Sequence, residues 1–355
     1  MTRIRTGLMA GVAFMLMGAQ AQAQKPPVPA KTAAVSNGHP SDFSMHDVKR
    51  IDFVSKVNGR HYSILVSLPD LPPPAGGYPA IYVLDGEYQF ASWVEITRIG
   101  AAPQVIVVGL GYPHDTAWVR SRLDHFKPLP AWLSFMPRHQ QVAMLERWRD
   151  YTLPVEEIAL TQLGGLFGNL RPSDTGGVDD FLKTIETEVK PRVYGLAPVD
   201  TTNQALYGHS LGGQAVTQAL FTEPNAFRTF IAGSPNLIYG RKTLQEEEAA
   251  FSRLVGAGKA APRVIYTAGG REEDVPETLP PGYDRAALVA TMKENGPISQ
   301  GCALTKRLQA LSGAKGYEVA DCAVFKDLTH VPASWAALAR GIGFAFGTWT
   351  PNTTR

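Results

Sequence analysis

Residues 203–221 read NQALYGHSLGGQAVTQALF, where an apolar run stops at a serine and a second apolar run with helical periodicity begins at once. A strand that passes directly into a helix at Ser210 needs a turn so tight that neighbours two positions away on either side have no room for bulky side chains. Gly208 and Gly212 meet that demand. Such a turn pushes one hydroxyl out at the head of a helix, where unpaired N–H groups and the helix dipole favour developing negative charge. Ser210 is therefore the candidate nucleophile, with the N–H of Leu211 as one oxyanion donor; the plain alternative is a Gly-rich turn in which Ser210 only caps the helix.

The rest of the chain fits a fold that can hold this junction. RIDFVSKV and HYSILVSLP alternate apolar and polar residues around Asn58-Gly59, which predicts a hairpin. PAIYVLD, QVIVVGLGY, RTFIAGSP, PRVIYTAGG and YEVADCAVF are short apolar runs without alternation, as expected of strands buried on both faces of a mainly parallel sheet. Helical patterns lie between most of them, including FASWVEITRIG, VDDFLKTIETEVK, TLQEEEAAFSRLV and PASWAALARGIGFAFG. Strand alternating with helix predicts an α/β protein with helices on both faces of the sheet, here as one domain over about 45–350. Residues 113–177 break the rhythm: rich in Trp, Phe, Pro and Gly and without a strand pattern, they are expected to form an insertion over the carboxyl edge of the sheet.

Of the 355 residues, 44% are hydrophobic and 19% charged, enough for a sizeable core, and the formal net charge of +2 gives no ground for a nucleic acid or an anionic membrane as partner. Arg3 and Arg5 followed by GLMAGVAFMLMGA and AQAQAQ predict a cleaved signal peptide over 1–23, and a Pro/Ala/Ser-rich leader over 24–44. The apolar run is shorter than the ~20 residues that span a bilayer, so no lasting membrane insertion is expected. The mature protein is placed in a periplasm or outside the cell, where the only two cysteines, Cys302 and Cys322, are expected to pair. A helix after Cys302 would climb about 15 Å and a strand before Cys322 return about 17 Å, bringing the sulfurs level.

A serine hydroxyl needs a base, and His330 is the only histidine after Ser210, standing between the last strand and the final helix. The earlier histidines lack the paired spacing of a metal site, so neither metal nor organic cofactor is expected. The acid that orients the base belongs after PRVIYTA, where Glu272, Glu273 and Asp274 crowd one position; Asp327 follows the wrong strand. A second oxyanion donor is expected at Gly86 or Glu87, in the turn after YVLD. Trp118, Trp132 and Phe135 either cover a large flat ligand or pack the insertion onto the body.

At these residues the chain resembles the putative-esterase family of α/β-hydrolases, and most closely its periplasmic siderophore-esterase (enterobactin-type, esterase D-like) branch. The resemblance rests on Leu84-Asp85-Gly86, on Gly111-Tyr112-Pro113, and on Arg147, Asp150, Tyr151, Thr152 and Pro154 of an Arg-x-x-Asp-Tyr-Thr-x-Pro stretch. It continues through GGVDDFLKTIETEVKP, the elbow GHSLGG, and Ser234-Pro235-Asn236, and so covers most of 45–348. It implies an α/β-hydrolase fold and cleavage of a small-molecule carboxylic ester through an acyl-enzyme. The family's Gly-x-x-Glu spacing, aligned on Gly269, selects Glu272, although Gly270 also permits Glu273. An acyltransferase using the same site, or a ligand-binding protein without activity, are the alternatives.

Overall fold

The structure is a computed structural model that describes Met45 and residues 47–347 except 102–103, 163–167, 276 and 278–284. The expected signal peptide and leader lie outside the described residues. Among those residues, nine strands form one sheet in the order β1-β2-β4-β3-β5-β6-β7-β8, with β9 also pairing with β7. β1 (Val48–Val54) and β2 (His61–Ser67) form the antiparallel hairpin, and β2 also runs antiparallel to β4 (Ile106–Gly111). From β4 through β3 (Tyr78–Val83), β5 (Val199–His209), β6 (Thr229–Gly233) and β7 (Arg263–Gly269) all pairings are parallel. The last predicted strand is two short ones, β8 (Glu318–Val319) and β9 (Ala323–Phe325), both beside β7.

Apolar runs without alternation arise because both faces of these strands are buried. Along β3 and into the turn, Ala80, Tyr82 and Leu84 join the larger core while Ile81 and Val83 join the smaller one. The smaller core is closed by α1 (Gly86–Ile96), through Phe90, Trp93 and Val94, and by the last helix among the described residues. The insertion closes the other face. It is helical, with α2 (Thr116–His125) and α3 (Arg138–Tyr151), and Val119, Leu123, Val142, Leu145 and Trp148 lie in the larger core. The insertion thus packs along the body and is not only a cover over the edge of the sheet.

Further along come α4 (Glu157–Gln162), α5 (Val178–Thr184) and α6 (Lys190–Tyr194), then α7 (Leu211–Thr222) directly after β5. α8 (Arg241–Gly256), α9 (Arg285–Asn295), α10 (Pro297–Gln309) and α11 (His330–Phe346) follow among the described residues. Cys302 in α10 and Cys322 before β9 are joined by a disulfide, with their Cα atoms 5.2 Å apart. No helix among the described residues is long and apolar enough to cross a membrane.

The topology fixes where a site can form. β3 has β4 on one side and β5 on the other, so the connections leaving β3 and β5 part in opposite directions and open a crevice at their carboxyl ends. The turn at Asp85 and Gly86 and the junction at Ser210 border that crevice. The carboxyl ends of β6, β7 and β9 follow along the same edge.

Candidate active site

Ser210 sits between β5 and α7 with φ 62° and ψ −119°, a conformation that side-chain-bearing residues rarely adopt. Its backbone is gripped by the end of β6: the Ser210 N–H donates to the Gly233 carbonyl (2.9 Å), and the Asn236 N–H donates to the Ser210 carbonyl (3.1 Å). The glycines around it divide the steric work differently from the sequence expectation. A Cβ at Gly208 would overlap the Gly212 carbonyl, and one at Gly213 would lie 2.8 Å from the Gly233 oxygen, whereas at Gly212 the nearest atom is 3.5 Å away. Gly208 and Gly213 are therefore the closed positions. Gly212 has room for a methyl group.

His330 opens α11, and its ring lies 4.6 Å from that of His209, the residue before Ser210. Nδ1 of His330 is 2.8 Å from Oε2 of Glu272. Oε1 of the same carboxylate accepts from the Ser234 hydroxyl (2.6 Å) and the Gly269 N–H (2.5 Å). His330 and Glu272 are both buried. Among the described residues, no hydrogen bond joins the Ser210 hydroxyl to Nε2 of His330, a contact that is often long in the absence of substrate. His209 is buried, and this burial together with the neighbouring His330 holds its ring well below the ordinary histidine range.

The other carboxylates near this turn face elsewhere. Glu273 accepts from the N–H of Ser299 (2.7 Å) and bonds its hydroxyl, which caps the start of α10. Asp274 pairs with Arg271 on the surface, and Asp327 is exposed.

α1 begins at Gly86, after Asp85 in a left-handed conformation (φ 55°), and a Cβ on Gly86 would lie 3.0 Å from the backbone of Gly109 and Leu110. The Glu87 side chain turns inward. It accepts from the Tyr112 N–H and occupies the space that a Cβ on Gly111 would need. Burial pushes its carboxyl up to about 8, against hydrogen bonds from the N–H groups of Tyr112 and of Glu87 itself. A carboxyl whose folded-state value lies above its unfolded value stabilises the fold fully below about 4.5, and this contribution is lost as pH rises through about 8. Thermal unfolding of Glu87→Gln and wild type should therefore diverge between those pH values, with the wild type declining and the variant flatter. Parallel curves would show that Glu87 stays ionised.

One neighbour of the junction enters the sequence analysis only as part of a motif. Arg147 on α3 is buried, and its Nη2 donates to Oδ2 of Asp85 (2.8 Å) and to the carbonyl of His209 (3.0 Å). It thereby ties the turn after β3 to the residue before Ser210. Tyr151 accepts the Asp85 N–H (3.0 Å), and Asp150 is bound by the Tyr112 hydroxyl (2.8 Å) and Arg60 (2.9 Å). Trp118 stacks at 6.4 Å on Tyr112 and Trp132 is packed against the core, whereas Phe135 is 74% exposed.

A mainly parallel sheet flanked by helices, with a strained serine at a strand-to-helix junction on its carboxyl edge, defines an α/β-hydrolase. Solved structures agree on the fold: a siderophore hydrolase from Aspergillus nidulans superposes with a TM-score of 0.62 at 24% identity, covering 88% of this chain and 99% of its own. The family model described as putative esterase matches residues 165–297. The ferri-bacillibactin esterase BesA of Bacillus subtilis is 31% identical over 226 residues, which span 62% of this chain and 68% of that protein. The siderophore triacetylfusarinine C esterase of Aspergillus fumigatus is 27% identical over 309 residues, 80% of this chain and 92% of that one. The chain belongs to the putative-esterase family, and it is a carboxylic ester hydrolase.

Proposed function

We propose that this hydrolase works through an acyl-enzyme formed on Ser210, with His330 as general base and Glu272 as the acid that orients it, and that its substrate is the ester of a siderophore. The observation that carries the reading is the 2.8 Å contact between Glu272 and His330, made where the His330 ring packs against the residue preceding Ser210. With Nδ1–H held by the carboxylate, Nε2 is the acceptor for the Ser210 proton. The Ser210 oxygen attacks the ester carbonyl, and the negative charge that develops on the carbonyl oxygen meets N–H groups at the starts of two helices. Leu211 opens α7 and Gly86 opens α1. Glu87 is the weaker of the two donors expected in that turn, because its own carboxyl lies against its N–H. His330 then gives the proton to the leaving alcohol, and water resolves the acyl-enzyme by the same route.

The relatives' names supply the substrate class: one acts on ferri-bacillibactin and another on triacetylfusarinine C. The Cys302–Cys322 disulfide supports a periplasmic or secreted location. Product analysis after incubation with ferric and iron-free catecholate siderophores, aryl esters and acetylated sugars, with and without an added alcohol, tests the reading. Release of free acid from the siderophores ahead of the other esters supports it. Transfer to the alcohol would make the protein an acyltransferase, and turnover of acetylated sugars alone would remove the siderophore assignment.

The acid assignment has its own test. Glu272→Gln leaves His330 without an anionic partner and is expected to lower kcat by about 10²- to 10⁴-fold. Glu273→Gln should leave kcat near wild type and remove about 1 kcal/mol of stability through the weakened cap on α10. Equal losses of kcat in the two variants would show that the geometric separation of these carboxylates does not carry into catalysis.

A further inference from the structure

Ser234 is a serine where the backbone favours glycine. It follows β6 with φ 40°, in the left-handed region, and it precedes Pro235, which restricts its backbone further. A glycine would sit there with less strain, so what the serine adds is its hydroxyl. Ser234 is 1% exposed, and its hydroxyl donates at 2.6 Å to Oε1 of Glu272. Glu272 itself is 5% exposed, so water has little access to replace the bond. The Ser234 N–H donates to the Thr267 carbonyl of β7 (2.7 Å), and two residues on Asn236 holds the Ser210 carbonyl. One short segment thus touches both the strand that delivers Glu272 and the backbone of Ser210.

We propose that Ser234 is a positioning residue for hydrolysis: its hydroxyl fixes the Glu272 carboxylate so that one oxygen is committed to the strand ends and the other to Nδ1 of His330. This rests on Glu272 being the acid. The terminal torsion of a glutamate is broad, so a carboxylate held only by the Gly269 N–H can turn Oε2 away from the line of Nδ1. With the Ser234 hydroxyl as a second donor on Oε1, that rotation breaks a charge-assisted hydrogen bond.

Ser234→Gly separates positioning from architecture, because it removes the hydroxyl while relieving the backbone. Hydrolysis of p-nitrophenyl butyrate and thermal midpoints would be measured for Ser234→Gly, Ser234→Ala, Glu272→Ala and the combination of Ser234→Gly with Glu272→Ala. Both Ser234 variants are expected to lose about tenfold in kcat with KM within about twofold, the rate equivalent of one such hydrogen bond. Ser234→Gly should unfold no earlier than Ser234→Ala, which serves as the folding control. In the Glu272→Ala background, Ser234→Gly should lower kcat by less than about twofold, since its effect passes through the missing carboxylate. Wild-type kcat in Ser234→Gly alongside a slow Glu272→Ala overturns the role of Ser234 and leaves the acid in place, and so does an undiminished loss in the double variant. Wild-type kcat in Glu272→Ala overturns the acid reading and the positioning role together.

Discussion

Ser210→Ala is expected to lower kcat for a short-chain p-nitrophenyl ester by about 10⁵-fold or more, with no matching loss of stability. The Ser210 hydroxyl has no hydrogen bond among the described residues, so its removal leaves no buried partner unpaired. The alanine keeps a Cβ, and with it the strain of φ 62°. Ser210→Gly should be equally inactive and more stable than wild type by about 1 kcal/mol or more, because glycine occupies that conformation with little penalty. His330→Ala should match the kinetic loss, and the double variant should be little worse than either single one, as happens for groups that act as a unit. A fluorophosphonate probe should label wild type and neither Ser210 variant. Appreciable turnover in Ser210→Ala would mean that Ser210 is not the nucleophile, and a glycine variant less stable than wild type would mean that the junction carries no strain that glycine relieves.

How much of this was legible beforehand follows from which contacts are local. The strands announced themselves because both faces of β3 to β7 are buried, and the placement of Ser210 and His330 at one sheet edge followed from chain order. Glu272, Glu273 and Asp274 are consecutive, so what separates them is the direction of a single turn. That turn is set by the Arg271 N–H donating to the Leu328 carbonyl and the Glu272 N–H donating to Gly269, and the first of these partners is far away in sequence. The helices of the insertion were missed for a different reason. α3 buries Glu146, Arg147 and Asp150 along with its apolar residues, and Glu146 lies between Arg60 and Arg122. Charged side chains directed inward erase the apolar stripe from which an amphipathic helix is recognised. The hydroxyl of Ser234 was beyond reach for the same reason as the turn, because its partner lies 38 residues on.

The same inward-facing charges include Arg147, which bonds both sides of the candidate site. Arg147→Met should lower kcat/KM by about 10²- to 10³-fold, the scale set by losing one preorganised donor near the developing charge. Two effects combine in that loss. Among the described residues the guanidinium is the side-chain partner of Asp85 Oδ2, and it also holds the carbonyl of His209, so its removal frees the turn carrying Gly86 from the residue that precedes Ser210. It also takes away the positive charge that faces the Asp85 carboxylate. Burial already raises Asp85 while Arg147 holds it down, and without the arginine a buried carboxylate is left uncompensated, which costs about 3–5 kcal/mol when one partner of such a pair is removed. Arg147→Lys keeps the charge but lacks the planar fork, so it is expected to recover most of the stability and little of the rate. Steady-state hydrolysis and urea unfolding of wild type, Arg147→Lys and Arg147→Met separate the two effects. If the lysine variant regained rate and stability in parallel, Arg147 would be acting as a buried charge alone, and its placement between the two turns would not matter to catalysis.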